Sequence, residues 1–312
     1  MASSSTAPAA PASPAPRPVR TRRPAYPPPR RRRGPGLAQR VPVYVVLLFG
    51  TVLMVLPLLW MISTSLASTK FVTTFPPKIV PDTFEIANYA HIFSDTQLGR
   101  YLVNSVIIVI PSMVGQVLAS SFAGYALARL RAPGRRLWFI ITLGTLMIPY
   151  EATIVPTFVM FRYLGWINTF WPLIVPQLFG SGYSVFLMRQ FIMQIPTEYD
   201  EAARLDGLSY FGIWRRIIAP LSAPAMATVA IFTFTFQWGN FLGPLIYIND
   251  SDKYPLALGL YAMTQTSNVG QTPDWNLIMA GSMLLTVPMV MVYFFGQRLL
   301  YEGANALGQI RV

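Results

Sequence analysis

Residues 197–220 concentrate charge in a chain that otherwise has little of it. Charged residues make up 12% of the whole sequence, yet this stretch contains four of its twelve acids and three arginines. The seven are Glu198, Asp200, Glu201, Asp206, Arg204, Arg215 and Arg216. Apolar segments flank the stretch on both sides, and charged side chains are costly to place in hydrocarbon. The stretch must therefore lie in water, between two segments that do not.

The order of residue types within this stretch predicts a short helix, a turn and a second helix. Thr197 is a suitable N-cap after Pro196, and the acids of the first turns complement the positive end of the helix dipole. Gly207 is the natural end of the helix, because the left-handed conformation after a helix accepts glycine at little cost. Ala202 and Ala203 give the helix a surface of small side chains, which another protein can approach closely.

Residue types and spacing from Glu201 to Pro220 match a known motif. Glu201-Ala202-Ala203, Asp206-Gly207, Ile217 and Pro220 resemble the EAA motif of ABC importer permeases, the cytoplasmic loop that docks into the ATPase subunit. Three further stretches resemble the carbohydrate branch of that family. They are Met147-Ile148-Pro149 with Pro156, Leu164-Gly165 with Asn168-Thr169, and Arg189-Gln190-Phe191 with Ile195-Pro196. The resemblance covers residues 43–298, and its details are most similar to the second permease subunit of maltose-type sugar importers.

This resemblance implies an all-α, type I permease fold with six transmembrane helices and a cytoplasmic coupling helix within residues 197–216. It also implies partners: a homologous permease subunit, two ATP-binding cassette subunits that bind ATP and magnesium, and an extracytoplasmic substrate-binding protein. The implied coupling residues are Glu201, Ala202, Ala203, Asp206, Gly207 and Pro220. Among them, Glu201 pairs with a basic group of the ATPase, the two alanines pack in its groove, and Gly207 makes the turn.

The composition of the chain also indicates a polytopic membrane protein. Hydrophobic residues make up 53% of it and the mean hydropathy is +0.45, outside the range of a soluble domain of this length. Six apolar segments are each long enough to cross a hydrocarbon core that needs about 20 helical residues. They are residues 43–65, 102–127, 137–161, 173–193, 217–246 and 277–300. We therefore predict a six-span permease domain over residues 41–312, preceded by a tail of residues 1–40.

Basic residues predict the orientation of these segments. Nine arginines lie in the tail, whose composition of Pro, Ala, Ser and Arg predicts disorder. Of the 24 Lys and Arg residues, 19 fall on the side of the tail and the 197–216 loop. Because Lys and Arg near span ends are retained in the cytoplasm, both termini and this loop are predicted to be cytoplasmic. The membrane implied by the resemblance is the bacterial cytoplasmic (inner) membrane. The tail suits orientation or contact with anionic membrane lipid better than nucleic acid, since no nucleic-acid-binding motif accompanies its charge.

Groups for catalysis and for ATP hydrolysis are missing from these 312 residues. There is no cysteine and one histidine, His91, and neither a G-x-x-x-x-G-K-[ST] phosphate loop nor a G-x-S-x-G motif is present. We therefore expect a transport subunit without a cofactor or metal of its own, and a membrane enzyme is disfavoured. A secondary carrier stays an alternative, although the spans hold almost no ionisable side chains for an ion pathway.

Neutral polar side chains within the predicted spans are candidates for the substrate pathway. Asn104 and Gln116 lie in the second segment, and Gln237, Trp238 and Asn240 lie in the fifth. A sugar presents hydroxyls and no charge, so amide side chains beside aromatic rings suit it. The alternative is that these groups bond between helices, as polar residues in membranes commonly do. A permease for a non-sugar solute such as glycerol phosphate also stays open; it would favour a basic pathway, which these spans lack.

Overall fold

The computed structural model describes residues 37–72, 80–265 and 273–308, and every regular element within them is helical. The all-α prediction is therefore confirmed for these residues. The α-helices are α1 (Leu37–Ser65), α2 (Thr69–Val72), α3 (Asn88–Ser94), α4 (Leu98–Arg129), α5 (Arg135–Thr145), α6 (Tyr150–Tyr163), α7 (Trp171–Ile174), α8 (Gly182–Ile192), α9 (Glu198–Leu205), α10 (Tyr210–Ile213), α11 (Ala219–Leu221), α12 (Ala223–Trp238), α13 (Leu242–Tyr247), α14 (Leu256–Gln265) and α15 (Trp275–Gly308). Two 3-10 helices, Val175–Phe179 and Ser251–Lys253, and one π-helix, Trp214–Ile218, lie between them.

The start of α1 bears on the predicted boundary between the tail of residues 1–40 and the six-span domain. Residues 1–36 of the predicted tail lie outside the described residues, and α1 begins at Leu37, within that tail. Contacts divide the chain into two units, residues 1–53 and residues 54–312. The second unit contains every element discussed below except the first part of α1.

Three single helices are long and apolar enough to cross a membrane. They are Val41–Ser65 of α1, the whole of α4, and Trp275–Gln297 of α15. Their lengths of 25, 32 and 23 residues exceed the roughly 20 residues that a hydrocarbon core requires. All three coincide with predicted segments.

Helix α4 buries its neutral polar side chains, while several of its large apolar side chains are exposed. Its buried polar residues are Asn104, Ser105, Ser112, Gln116, Ser120 and Ser121. Val103, Ile107 and Val114 on its other faces are about half exposed. This arrangement is the reverse of a helix in water and is expected for a helix whose outer face meets lipid. α4 therefore packs through a polar stripe.

Two further candidate spans are bent pairs of helices. α5 and α6 meet at 100° around Pro149, and Tyr210–Leu221 meets α12 at 78° around Ser222. Pro220 and Pro224 flank the second bend. Proline lacks an N–H group and clashes with the preceding turn, which accounts for bends at both places. By length and composition the described residues contain three spans, or five if each bent pair counts as one. Six spans stays a prediction.

The predicted segment 173–193 is not a single helix. Gly180, with φ of 79°, separates the 3-10 helix from α8, whose 11 residues rise about 16 Å, roughly half of a hydrocarbon core. Gln116 of α4 satisfies the backbone at this break: its amide nitrogen donates to the Gln177 carbonyl at 2.9 Å, and its amide oxygen accepts from the Ser181 N–H at 2.8 Å. Irregular backbone is tolerated in a membrane where neighbouring groups bind it in this way. The segment 217–246 is interrupted similarly, between Trp238 and Leu242.

The centre of the fold is the contact of α4 with α8 and α12. A Cβ atom added to Gly124 would lie 2.7 Å from Met188 Cβ and 2.9 Å from the Arg189 backbone nitrogen, so only glycine fits there. Met188 and Ile192 are fully buried beside it. Small residues permit such close helix approach in membranes. α4 and α8 therefore form a tightly packed pair that carries the stretch leading into α9.

Candidate coupling surface

Helix α9 begins at Glu198 and carries its acids at the end where they were predicted. Glu198, Asp200 and Glu201 occupy its first turn, where the helix dipole favours negative charge. Thr197 does not act as predicted, since its backbone is helical (φ −71°, ψ −18°) and its side chain makes no capping bond. The first-turn carboxylates supply the negative charge that this helix end favours.

The end of α9 is a Schellman motif built on Gly207. This residue has φ of 81°, in the left-handed region. The Leu208 N–H donates to the Ala203 carbonyl and the Gly207 N–H to the Arg204 carbonyl, both at 3.0 Å, so the last carbonyls of the helix are satisfied. The predicted turn at Gly207 is confirmed. Ser209 then caps α10, because its hydroxyl accepts from the Gly212 N–H at 3.2 Å.

The outer face of α9, here called the coupling surface, consists of Glu201, Ala202, Leu205 and Asp206. All four are exposed, and Leu205, the large apolar side chain among them, is 90% exposed. Ala203 is only 3% exposed and packs in the chain's own core with residues such as Ile213. The helix thus turns Ala202 outward and Ala203 inward, and the packing of the two alanines in a partner's groove stays a prediction.

A shallow groove of about 390 Å³ runs beside the coupling surface. It lies between α9 and the segment that follows it, and its lining combines small and apolar side chains with two acids. The lining residues are Glu198, Tyr199, Ala202, Ala203, Asp206, Leu208 and Ile217. The groove can receive an apolar side chain, and the acids at its edge can receive a basic one.

A buried ion pair attaches the inner face of α9 to the end of α4. Arg129 Nε lies 2.9 Å from Asp200 Oδ2, and the two side chains are 8% and 9% exposed. The Arg129 guanidinium also donates to the Ile195 carbonyl, just before α9. Neither Asp200 oxygen accepts a well-aligned hydrogen bond from the described part of the chain, so the attraction is mainly electrostatic. Burial raises the pKa of Asp200 above its usual value, although Arg129 and Arg204 act to lower it.

A second attachment to α4 lies in the π-helix that follows α10. Trp214 Nε1 donates to the Ser121 hydroxyl at 2.9 Å, and the indole stacks on Phe122 with ring centroids 4.0 Å apart. Ile218, at the end of the π-helix, is fully buried. π-helical turns are rare and occur frequently at functional sites. Pro220 lies after this turn, exposed and next to the 78° bend, outside the four-residue coupling surface, and its coupling role stays a prediction.

The family model described as binding-protein-dependent transport system inner membrane component matches residues 116–304, a range that includes α9, the π-helix and the bend. The chain belongs to this family. It is a permease subunit of an ABC importer, a transport component and not an enzyme, and a multi-pass protein of the inner membrane.

Curated relatives of this permease extend the match over most of the chain. The diacetylchitobiose uptake system permease protein NgcG of Streptomyces coelicolor is 32% identical over 258 residues, covering 82% of this chain and 84% of that protein. The arabinooligosaccharides transport system permease protein AraQ of Halalkalibacterium halodurans is 34% identical, covering 73% and 80%. The sn-glycerol-3-phosphate transport system permease protein UgpE of Brucella abortus is 31% identical, covering 83% and 94%.

A solved structure shares the fold of the permease. A chain of a bacterial ABC transporter involved in the import of the acidic polysaccharide alginate superposes with a TM-score of 0.75 at 21% identity, covering 85% of this chain and 98% of that one. At this level of identity the likeness concerns the fold. It supports the helical architecture described above.

The five residues predicted to line a substrate pathway are all engaged within the permease. Asn104 donates to the carbonyls of Asp252 and Tyr254, and Gln116 binds the break before α8. Gln237 Nε2 donates to the Leu173 carbonyl at 2.9 Å, and its Oε1 accepts from Asn240 at 3.3 Å. Trp238 Nε1 donates to the Leu285 carbonyl at 2.9 Å. These bonds are those expected of polar groups that hold helices together.

Sequence reasoning missed the pairing of Arg129 with Asp200. Asp200 was predicted only as one of several first-turn acids. Its position three residues before Ala203 puts the two on one helix face, but that this face is buried is known only from the structure. An acid on the buried face of a short helix needs a cation nearby. Arg129 is the last residue of α4, the longest described helix before α9, and it supplies that cation.

Proposed function

We propose that this permease forms half of the translocation pathway of an ATP-driven importer for a sugar or oligosaccharide. It crosses the bacterial cytoplasmic membrane six times with both termini in the cytoplasm. A homologous permease forms the other half, two cassette subunits bind ATP and magnesium, and an extracytoplasmic binding protein delivers the substrate. Support comes from the carbohydrates named for relatives such as NgcG and AraQ, and from the neutral character of the polar residues buried in α4 between Asn104 and Ser121.

The observation that carries the proposal is the two-sided character of α9. Glu201, Ala202 and Leu205 face outward, whereas Asp200 and Ala203 tie the helix to the body of the permease. A helix that is free on one face and fixed on the other can pass a movement of its partner into the spans. The outer face offers a carboxylate and an apolar tip, which suit a groove with a basic edge on the ATPase subunit.

In the mechanism we propose, ATP binding closes the two cassette subunits and moves α9 as a rigid body. Arg129 and Trp214 connect that body to α4 at two separate points, so displacement of α9 moves the cytoplasmic end of α4. Gly207 ends α9 and sets the direction of α10, and Pro220 belongs to the bend that absorbs the change. The pathway then opens outward, and the sugar enters from the binding protein.

The role of Asn104, Gln116, Gln237, Trp238 and Asn240 in a substrate pathway stays a prediction. Their hydrogen bonds within the permease favour a role in shaping the pathway over direct contact with substrate. A glycerol phosphate importer is the competing function, since UgpE is a relative at similar identity. A phosphate substrate needs basic side chains, and the buried polar residues of α4 from Asn104 to Ser121 are neutral.

The experiment that tests the proposal alters the outer face of α9 in the complete importer. Glu201→Lys reverses a charge and Leu205→Asp removes the apolar tip, and both positions are exposed, so folding should be preserved. We expect loss of ATPase co-purification and of ATP-driven uptake in both variants, whereas the neutral isostere Glu201→Gln retains most of each. Normal co-purification and uptake in Glu201→Lys and Leu205→Asp would overturn the coupling role. Measuring the uptake of neutral sugars and of glycerol 3-phosphate separately distinguishes a sugar importer from a glycerol phosphate importer.

A further inference from the structure

A cavity of about 580 Å³ lies at the opposite end of α4 from the coupling surface. It is bounded by the start of α4, by α13, by the connection that follows α13, and by α14. Every described residue that lines it is uncharged. Its polar and aromatic members are Gln97, Tyr101, Ser251, Tyr254, Tyr261 and Gln265, and we call it the tyrosine cavity. In the proposed orientation, it opens on the extracytoplasmic side, where substrate arrives.

The tyrosine cavity combines aromatic faces with neutral hydrogen-bonding groups. The rings of Tyr101 and Tyr254 are 6.2 Å apart and inclined at 41°, so they form an angled wall. Tyr261, 45% exposed, is held edge-to-face against Phe241 at 5.0 Å. Phenol hydroxyls and amides both donate and accept, as sugar hydroxyls require, and the apolar faces of sugar rings pack on aromatic rings. The volume falls within the roughly 300–1,000 Å³ of small-molecule sites.

Contacts below the cavity fix the positions of its walls. Asn104 of α4 donates to the carbonyls of Asp252 and Tyr254 at 2.9 and 3.0 Å, and the Ser105 hydroxyl accepts from the Leu256 N–H at 2.8 Å. These bonds hold the chain on both sides of Tyr254 against α4. They give Asn104, a predicted pathway residue, a positioning role.

Gly259 of α14 allows the Tyr101 ring to pack against this helix, which forms the remaining wall of the cavity. A Cβ atom at this position would lie 2.0 Å from the Tyr101 ring, so the ring packs directly on the backbone of α14. The Tyr101 hydroxyl then donates to Gln97 Oε1 at 3.2 Å. The cavity is thus held in shape before any ligand arrives, which reduces the ordering cost of binding.

We propose that the tyrosine cavity is a subsite for a neutral oligosaccharide at the mouth of the translocation pathway. This inference rests on the proposed function of the permease as a sugar importer and adds the place and the chemistry of one contact. Among the described residues, none that lines the cavity presents a cation to a phosphate or carboxylate. Arg100, close by, is committed to Asp252 at 2.7 Å, and neither of these residues lines the cavity. The subsite therefore selects neutral sugars over charged solutes.

The test compares tyrosine variants in the importer complex purified through a tag on this chain and freed of binding protein. Probes are neutral di- and trisaccharides of glucose, N-acetylglucosamine and arabinose, together with glycerol 3-phosphate, and binding is followed by saturation-transfer NMR. We expect Tyr261→Ala to weaken binding of a neutral oligosaccharide about tenfold, and Tyr261→Phe, which keeps the ring, to weaken it less. Tyr163→Ala is the matched control, since Tyr163 is 89% exposed and lies outside the cavity; it should bind as the wild type does.

Uptake by the same variants, with binding protein restored, separates the two proposals. A tenfold rise in the KM for uptake in Tyr261→Ala, with Tyr163→Ala unchanged, supports the subsite. Wild-type uptake of a neutral sugar with unaltered binding and KM in Tyr261→Ala overturns the subsite and leaves the proposed function standing. Binding of glycerol 3-phosphate as tight as that of the oligosaccharides also overturns the subsite. Failure of the wild-type complex to take up any of the neutral sugars overturns the proposed function and the subsite with it.

Discussion

Arg129 and Asp200 form an ion pair with an Nε to Oδ2 distance of 2.9 Å, and it joins the last residue of α4 to the first turn of α9. Both side chains are at least nine-tenths buried. Buried charges are retained at a cost in desolvation, so the pair is expected to serve the geometry of the link more than stability. The ion pair therefore holds the start of α9 in a fixed position relative to α4, one of the three helices long enough to span a membrane.

The two members of this pair should respond differently to substitution. Arg129→Met leaves the Asp200 carboxylate buried without a counterion, and we expect a loss of about 3 kcal/mol of stability. Asp200→Asn leaves the Arg129 guanidinium buried without a counterion but keeps an oxygen near it and its bond to the Ile195 carbonyl, so we expect a smaller loss, of about 1 kcal/mol. The double variant Arg129→Met/Asp200→Leu should recover most of the stability lost in Arg129→Met. Thermal unfolding of the purified complex measures all three, and a cost for Arg129→Met below that for Asp200→Asn would contradict the assignment.

The stability of the permease should carry a pH dependence that originates at Asp200. Burial raises the pKa of this carboxyl above its usual 3.8, so the folded state holds the proton more tightly than the unfolded chain does. The resulting stability is fully present below about pH 4 and is lost as the pH rises to the raised pKa. The Asp200→Asn variant has no titratable group at this position, so its stability does not show this loss as the pH rises. Melting temperatures measured from pH 4 to 7 should therefore fall in the wild type relative to Asp200→Asn, and a relative rise would refute the raised pKa.

Gly207 should tolerate substitution poorly although no atom would touch an added Cβ. Its φ of 81° is the cause, because the space around it is open. We expect Gly207→Ala to cost about 1 kcal/mol, and Gly207→Pro to cost more because it also removes the bond to the Arg204 carbonyl. Gly144→Ala is the control: it is equally open, lies within α5 and should be neutral or stabilising. Thermal unfolding and uptake are measured for all three variants. If Gly207→Ala and Gly144→Ala change stability equally, a left-handed backbone at Gly207 is excluded.

The close contact between α4 and α8 should fail when Gly124 is enlarged. A Cβ at Gly124 meets the backbone of Arg189 and cannot be accommodated by a side-chain rotation. We expect Gly124→Ala to cost about 1–3 kcal/mol by overpacking and to impair coupling, since α8 leads into α9. Gly144→Ala again serves as the control. Melting temperature and the ratio of uptake to ATP hydrolysis are the measurements, and a fully coupled, stable Gly124→Ala would show that the helices can separate without consequence.

The sequence by itself determined the features that depend on neighbouring residues. The acids in the first turn of α9, the turn at Gly207 and the three long apolar helices all follow from local charge, backbone preference and hydropathy. The motif from Glu201 to Pro220 was sufficient to indicate the permease family. These properties need no knowledge of what packs against each segment, which is why the structure agrees with them.

Tertiary structure alone decided which side of each helix meets the protein. It turned Ala203 inward and Ala202 outward. It brought Arg129 to Asp200, 71 positions later in the sequence, and it placed Asn104 against the backbone carbonyl of Asp252, in the connection that follows α13. It also broke residues 173–193 at Gly180, where Gln116 of another helix satisfies the opened backbone. Each of these outcomes depends on contacts between residues far apart in the chain. Composition and local periodicity do not encode those contacts, so they become visible only when the helices are packed together.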